Sequence, residues 1–228
     1  RPGNDPAMPY DTEPLPYRAR PADPAAAARE VFDRMASRRT VRDFSDRAVP
    51  EEAIRHAVAT AGRAPSGANQ QPWHFVAIRD RAVKARIRAA AEAEERAFYD
   101  GAAGDDWLQA LAPIGTDADK PHLEQASWLI VVFAQRFGVN ADGERIKHYY
   151  VPESVGIACG FLIATLHMAG LDCLTHTPAP MGFLREICGR PAHEKPVMIL
   201  AVGYAEEGAA VPKAPGRKKA MDEILSVV

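Results

Sequence analysis

The run from Trp128 to Ala134, Trp-Leu-Ile-Val-Val-Phe-Ala, constrains the fold more than any other stretch of the chain. Seven apolar residues in succession have the length of a strand, and neighbouring strand residues face opposite sides, so both faces of this one must be covered. A strand of that kind belongs in the middle of a sheet with helices on either side. The apolar segment Ser154 to Ala169 offers one covering helix: it is hydrophobic almost all round and reads as a core or interface helix too short to cross a membrane, ended by Gly170. Its Gly156, Ala158 and Gly160 would let another helix approach closely, which points to a subunit contact.

The remaining elements follow from periodicity and punctuation. Residues 1 to 24 hold seven of the nineteen prolines and read as an extended arm. Helices are expected over Ala25 to Arg39, after the Val49-Pro50-Glu51-Glu52 start, over Asp80 to Tyr99 and over Met181 to Cys188. Strands are expected over Trp73 to Ile78, Leu171 to Thr177 and Pro196 to Tyr204. The irregular segment at about 100 to 120 is too long for a plain connector and reads as a mobile lid, and Gly138 to Gly143 reads as a surface loop. The domain reading is an arm over 1 to 24, a main domain over 25 to 205 and a carboxyl-terminal extension over 206 to 228.

Two stretches carry the chemistry. Ala64 to Trp73, Ala-Pro-Ser-Gly-Ala-Asn-Gln-Gln-Pro-Trp, is a loop of binding character between a helix and a strand. Upstream, Arg38-Arg39-Thr40-Val41-Arg42 gathers three guanidinium groups, which suit a small anion, most simply a phosphate. With a net charge of −2 and a pI near 6.4, the chain has no broad basic face for nucleic acid or an anionic membrane. Cys159, Cys173 and Cys188 form no Cys-x-x-Cys pair and read as free thiols, which fits a reducing, cytoplasmic setting, with a removed amino-terminal segment left open. The seven histidines fall into no metal-ligand spacing and read as surface or satisfied side chains. Hydrolase elbows, Walker loops and dinucleotide fingerprints are absent, so reactivity should come from a bound organic cofactor.

Four stretches point to a family: Arg38 to Arg42; Ala61-Gly62-Arg63-Ala64-Pro65-Ser66-Gly67-Ala68; His148-Tyr149-Tyr150 with the helix that follows; and Gly189-Arg190-Pro191-Ala192-His193-Glu194-Lys195. From about residue 16 onward the chain resembles the iodotyrosine deiodinase branch of the FMN-dependent nitroreductase superfamily. That resemblance implies an α+β fold, a nitroreductase-like mixed sheet flanked by helices, in a homodimer that exchanges terminal arms and shares two FMN sites. It also implies reductive dehalogenation of a halotyrosine, with electrons from NAD(P)H or a separate reductase.

Carried over by resemblance, Arg38, Arg39, Thr40 and Arg42 hold the phosphate and ribityl side of FMN, and Pro65, Ser66 and Gly67 pass along its ring. The Ala68 N–H serves the substrate phenolate. Thr175, His176 and Thr177 stand beside the cofactor, and the Thr177 hydroxyl reaches flavin N5, where a hydrogen bond favours single-electron steps. Glu95 and Tyr99, at helical i, i+4 spacing, and Lys120, with Trp107 between them at the family's separations, match the three groups that grip an amino-acid zwitterion. The family's carboxyl-terminal arginine falls on Lys218 with Arg217 beside it, so either serves the phosphate. A general nitroreductase or quinone reductase, and a non-catalytic flavin or halotyrosine binder, remain alternatives on the sequence.

Overall fold

A computed structural model describes residues 11–16, 18–97, 109 and 112–228. In chain order the elements are α1 (Pro24–Ala36), α2 (Glu51–Ala61), β1 (Trp73–Ile78), α3 (Arg81–Ala97), α4 (His122–Gln125), β2 (Trp128–Gln135), β3 (Phe137–Val139), β4 (Arg145–Lys147), α5 (Val151–Met168), β5 (Asp172–His176), α6 (Gly182–Ile187), β6 (Glu194–Gly203) and α7 (Met221–Ile224). One compact unit ends at Ala36 and a second spans Ser37–Val228. In the first, the Asp23 carboxylate accepts from the N–H groups of Ala25 and Ala26 and starts α1, which exposes Val31 and Phe32.

In the second unit β2 does what its sequence demands. The four-stranded sheet has the order β1-β2-β6-β5, with antiparallel ladders throughout. Trp128, Ile130, Val132 and Ala134 of β2 point into one core with α2 and α5. Leu129, Val131 and Phe133 point into the other, with Ile87 and Ala91 of α3, Leu123 of α4 and Leu184 of α6. Each such burial is worth about 1.5–3 kcal/mol, which is why the run cannot be displaced to an edge. The parallel component expected of a mixed sheet is confined to one bridge, Thr40 to Cys173, on the β5 edge. That bridge also ends the first predicted helix early: α1 stops at Ala36 rather than Arg39, because the arginine run goes extended to reach β5.

Two other expectations change. The polar stretch 138 to 143 is not only a loop but the tip of a hairpin, β3 with β4, in which Phe137 pairs with Lys147. The apolar helix extends back to Val151, and at 18 residues with mean hydropathy 1.4 it is long and apolar enough to span a membrane by length and composition. Its Val155, Ala158, Leu162 and Leu166 nevertheless lie in the α2 core. Ala158 therefore serves that core, while Gly156, Ile157, Gly160 and Phe161 are left on the exposed face. The lid expected at about 100 to 120 falls largely outside the described residues. Leu162→Ala should lower unfolding free energy by about 2–5 kcal/mol, read from the urea midpoint, because it opens a cavity between α5 and β2.

Candidate active site

The core-facing stripe of α3 runs through Lys84, Ile87 and Ala91, all buried, and its next position four residues on is Glu95. The same periodicity that packs α3 thus carries a carboxylate inward, to 16% side-chain exposure. Lys120 meets it from the segment before α4. Only 2% exposed, its Nζ lies 3.5 Å from Glu95 Oε2. Lys120 Nζ also donates to Thr116 Oγ1 at 3.0 Å and to the Asp117 carbonyl. Its backbone N–H donates to Glu92 Oε1 at 2.8 Å, and Arg88 bridges Glu92 and Glu124 at 2.7 and 3.2 Å. Burial would raise the Glu92 carboxyl, but the Arg88 and Lys120 N–H bonds outweigh it and hold the group below its usual range. Glu92 thereby ties the Lys120 segment to α3, a role that nothing in the run Glu92-Ala93-Glu94-Glu95 distinguishes.

β5 closes a third side. Strand alternation puts His176 on the face of Leu174, toward α3, while Thr175 and Thr177 are exposed on the other face. His176 Nε2 lies 3.9 Å from Glu95 Oε1, and its ring meets His122 edge-on at 5.8 Å between centroids. Both histidines are buried rather than on the surface, and among the described residues the Nε2 atom of each lacks a hydrogen-bond partner. Burial first, then the positive charges of Lys120 and Arg42, lower His122 to about 4 and His176 to about 3, where His122 adds its own push. His122 carried no signal beyond sitting two residues after Lys120.

The arginine run lies along the same edge. Thr40 pairs with Cys173, and Arg38 stands close enough to counter part of the burial that raises the Cys173 thiol to about 11. The Arg39 guanidinium donates to the Pro212 carbonyl and lies 3.4 Å from where a Cβ on Gly216 would stand. That contact brings the turn Ala214–Gly216, and after it the exposed Arg217 and Lys218, to the run. Arg42 is lowered by burial, with Asp43 and Asp117 opposing. Half-buried guanidinium groups beside the Thr40–Cys173 bridge, with exposed Thr175 further along β5 and exposed Thr177 just past its end, fit a phosphate-bearing, ring-containing cofactor such as the FMN implied by resemblance. Among the described residues no cluster of three or more His, Cys, Asp or Glu side chains fits a metal.

Pro65, Ser66, Gly67 and Ala68 are not brought to this edge. They precede β1, at the other side of the sheet, where Gly67 sits so close to Tyr149 that a Cβ would come within 2.6 Å of its carbonyl oxygen. Ala68, Asn69 and Gln71 take positive φ of 50°, 51° and 49°, and Tyr150 takes 51°, a concentration of left-handed residues typical of a functional loop. Gln70 pins it in two ways: its Nε2 donates to the Lys147 carbonyl at 2.7 Å, and its Oε1 accepts from the Tyr149 N–H at 2.9 Å. Tyr99 and Trp107 lie outside the described residues.

A depressed folded-state pKa means the unfolded chain binds more protons, so stability falls as pH drops from the unfolded histidine value, about 6.5, toward the folded values. Histidine ring NMR should show His122 and His176 uncharged down to pH 5, with folding stability falling below pH 6 as the folded state resists their protonation.

A family model described as Nitroreductase family matches residues 35–204. The chain is 50% identical over 209 residues to an iodotyrosine deiodinase of Haliscomenobacter hydrossis, covering 90% of this chain and 94% of that one. It is 42% identical over 202 residues to the Homo sapiens iodotyrosine deiodinase 1, covering 88% and 69%. A crystal structure of oxidized iodotyrosine deiodinase bound to FMN and 3-iodo-L-tyrosine superposes with a TM-score of 0.68 at 30% identity, over 78% of this chain and 90% of that one. The chain belongs to the nitroreductase family, in the branch of the iodotyrosine deiodinases.

Proposed function

We propose that the chain is an FMN-dependent oxidoreductase that removes the halogen from 3-iodotyrosine, or a closely related halotyrosine, giving tyrosine and halide. The observation that carries this reading is the buried contact between Glu95 and Lys120 at 3.5 Å, beside the cation-rich β5 edge. An amino acid brings one charge for each: its ammonium goes to Glu95 and its carboxylate to Lys120. A plain nitroaromatic reductase has no use for such a pair. Two electrons and one proton replace the carbon–iodine bond by carbon–hydrogen and release iodide, and FMN, when bound and reduced, supplies the electrons. They come ultimately from NAD(P)H or a separate reductase.

The residues divide the remaining work. Arg38, Arg39, Thr40 and Arg42, with Arg217 or Lys218, hold the cofactor's phosphate side; Thr175 and Thr177 face its ring from the exposed side of β5. The Ala68 N–H receives the substrate phenolate, and Pro65, Ser66 and Gly67 line the ring. Within one chain these two groups stand at opposite edges. Three strand spacings separate β1 from β5, roughly 14 Å, and the pairings of Trp73 and His176 are offset by roughly a further 13 Å along β6. A second copy supplying the loop resolves that separation, so we infer a homodimer with shared sites. The open face of α5 suits the contact: nothing lies within 4 Å of a Cβ on Gly156 or Gly160, and Ile157 and Phe161 are exposed beside them. The exposed Ile224, Leu225 and Val227 give the carboxyl-terminal arm something apolar to exchange. Three free thiols fit a reducing, cytoplasmic setting.

Dithionite-reduced, FMN-loaded protein mixed with 3-iodotyrosine should yield tyrosine and iodide in equal amounts; no release of either would remove the assignment. In Glu95→Gln, flavin-fluorescence titration should show 3-iodotyrosine bound at least about tenfold more weakly, while any nitroaromatic reduction stays within about twofold. Sedimentation should give a dimer, and Gly160→Arg, placed in open space on α5, should give a folded monomer that no longer retains FMN.

A further inference from the structure

The carboxylate of Glu95 has two oxygens and a different neighbour for each: Lys120 Nζ at 3.5 Å from Oε2 and His176 Nε2 at 3.9 Å from Oε1. In the function proposed above, Lys120 turns to the ligand's carboxylate and Glu95 must hold the ammonium. Once Lys120 turns away, no other cation among the described residues holds the carboxylate, whose side-chain exposure is 16%. The cations of its own helix do not fill the gap, since Arg88 is engaged by Glu92 and Glu124, and Arg96 leans to Glu92. What faces it from β5 is the His176 ring.

We infer that His176 is a positioning residue for Glu95: its Nε2–H closes onto Oε1 when an amino acid displaces Lys120, and it fixes the carboxylate toward the ammonium. The atom is buried and has no other hydrogen-bond partner among the described residues. The movement needed is small, from 3.9 Å to the ordinary range near 3 Å. A nitrogen facing a carboxylate carries its proton, because a lone pair there would be repelled, and this selects the Nε2–H tautomer. A neutral donor is also the right kind. A lysine or arginine at this place would cancel the charge that the ammonium needs, whereas an imidazole gives one hydrogen bond and leaves the carboxylate anionic. Burial and the nearby charges of Lys120 and Arg42 keep the ring uncharged at neutral pH. His122, edge-on to it at 5.8 Å, holds the plane of the ring from α4. Strand alternation explains how one residue of the Thr175-His176-Thr177 stretch serves the clamp while its neighbours face the other side.

The inference rests on the amino-acid reading of the site, and one experiment separates the two. With FMN-loaded oxidised protein, dissociation constants for 3-iodotyrosine and for 2-iodophenol are measured by flavin fluorescence in the wild type, His176→Leu and His176→Gln. Loss of one charge-assisted hydrogen bond should weaken 3-iodotyrosine about tenfold in His176→Leu and leave 2-iodophenol unchanged. His176→Gln, whose amide nitrogen stands near the place of Nε2, should recover to within about threefold. A wild type that prefers 3-iodotyrosine, with the preference intact in His176→Leu, overturns the positioning role. Equal weakening of both ligands in the two variants, or loss of FMN, also overturns it and makes His176 a packing residue. A wild type that binds both ligands alike removes the amino-acid clamp itself, and this role with it.

Discussion

The contact between Glu95 and Lys120 is the constraint on which the rest of the account depends. Taking two charges out of water is costly, and a buried pair often contributes little to stability. Its persistence here has a structural cause: α3 carries Glu95 inward on the stripe that packs Ile87 and Ala91, and Glu92 ties the Lys120 backbone to the same helix. The result is a pair of opposite charges held ready in a nearly dry place. In the function proposed above, a zwitterion exchanges one ion pair for two and leaves nothing stranded. A ligand with a single charge, or none, either leaves the pair closed or strands one buried charge, and that penalty is a source of selectivity.

The sheet sets where this happens. With β2 in the interior, one face serves α2 and α5 and the other serves α3, α4 and α6. The α3 face ends at the clamp, beyond the last apolar residues of β5, where polar side chains replace the core. On the opposite side, α5 uses one face for that core and leaves a smooth, apolar face outward. The cation run and the clamp belong to the β5 edge and the strained loop to the β1 edge. These two groups thus stand at opposite edges of one sheet, and the second copy proposed above is a response to that separation.

Much of this was legible in the residues. The buried strand announced itself in its unbroken apolar run, and Trp73–Ile78 emerged with the bounds its alternation implied. Glu95 and Lys120 came from the family resemblance, since in Glu92-Ala93-Glu94-Glu95 nothing else singles out one acid, and the structure brings them into contact. What the sequence hid was tertiary. The hairpin of β3 and β4 has three-residue strands, too short for alternation to register. Ser37 to Arg39 left the expected helix so that Thr40 could bridge to a strand far along the chain, which local propensity does not encode. His176 read as one of three similar cofactor neighbours; only the face of β5, fixed by Leu174, separates it from Thr175 and Thr177. His122 and Glu92 gave no pattern, because their importance lies in what packs against them.

A crystal structure of the FMN-loaded protein with 3-iodotyrosine tests the central claim most directly. The account predicts that Lys120 Nζ and Glu95 are no longer in contact, with the ligand's carboxylate on the first and its ammonium on the second. Electron density showing the 3.5 Å pair still closed, and the amino acid bound elsewhere, would contradict it.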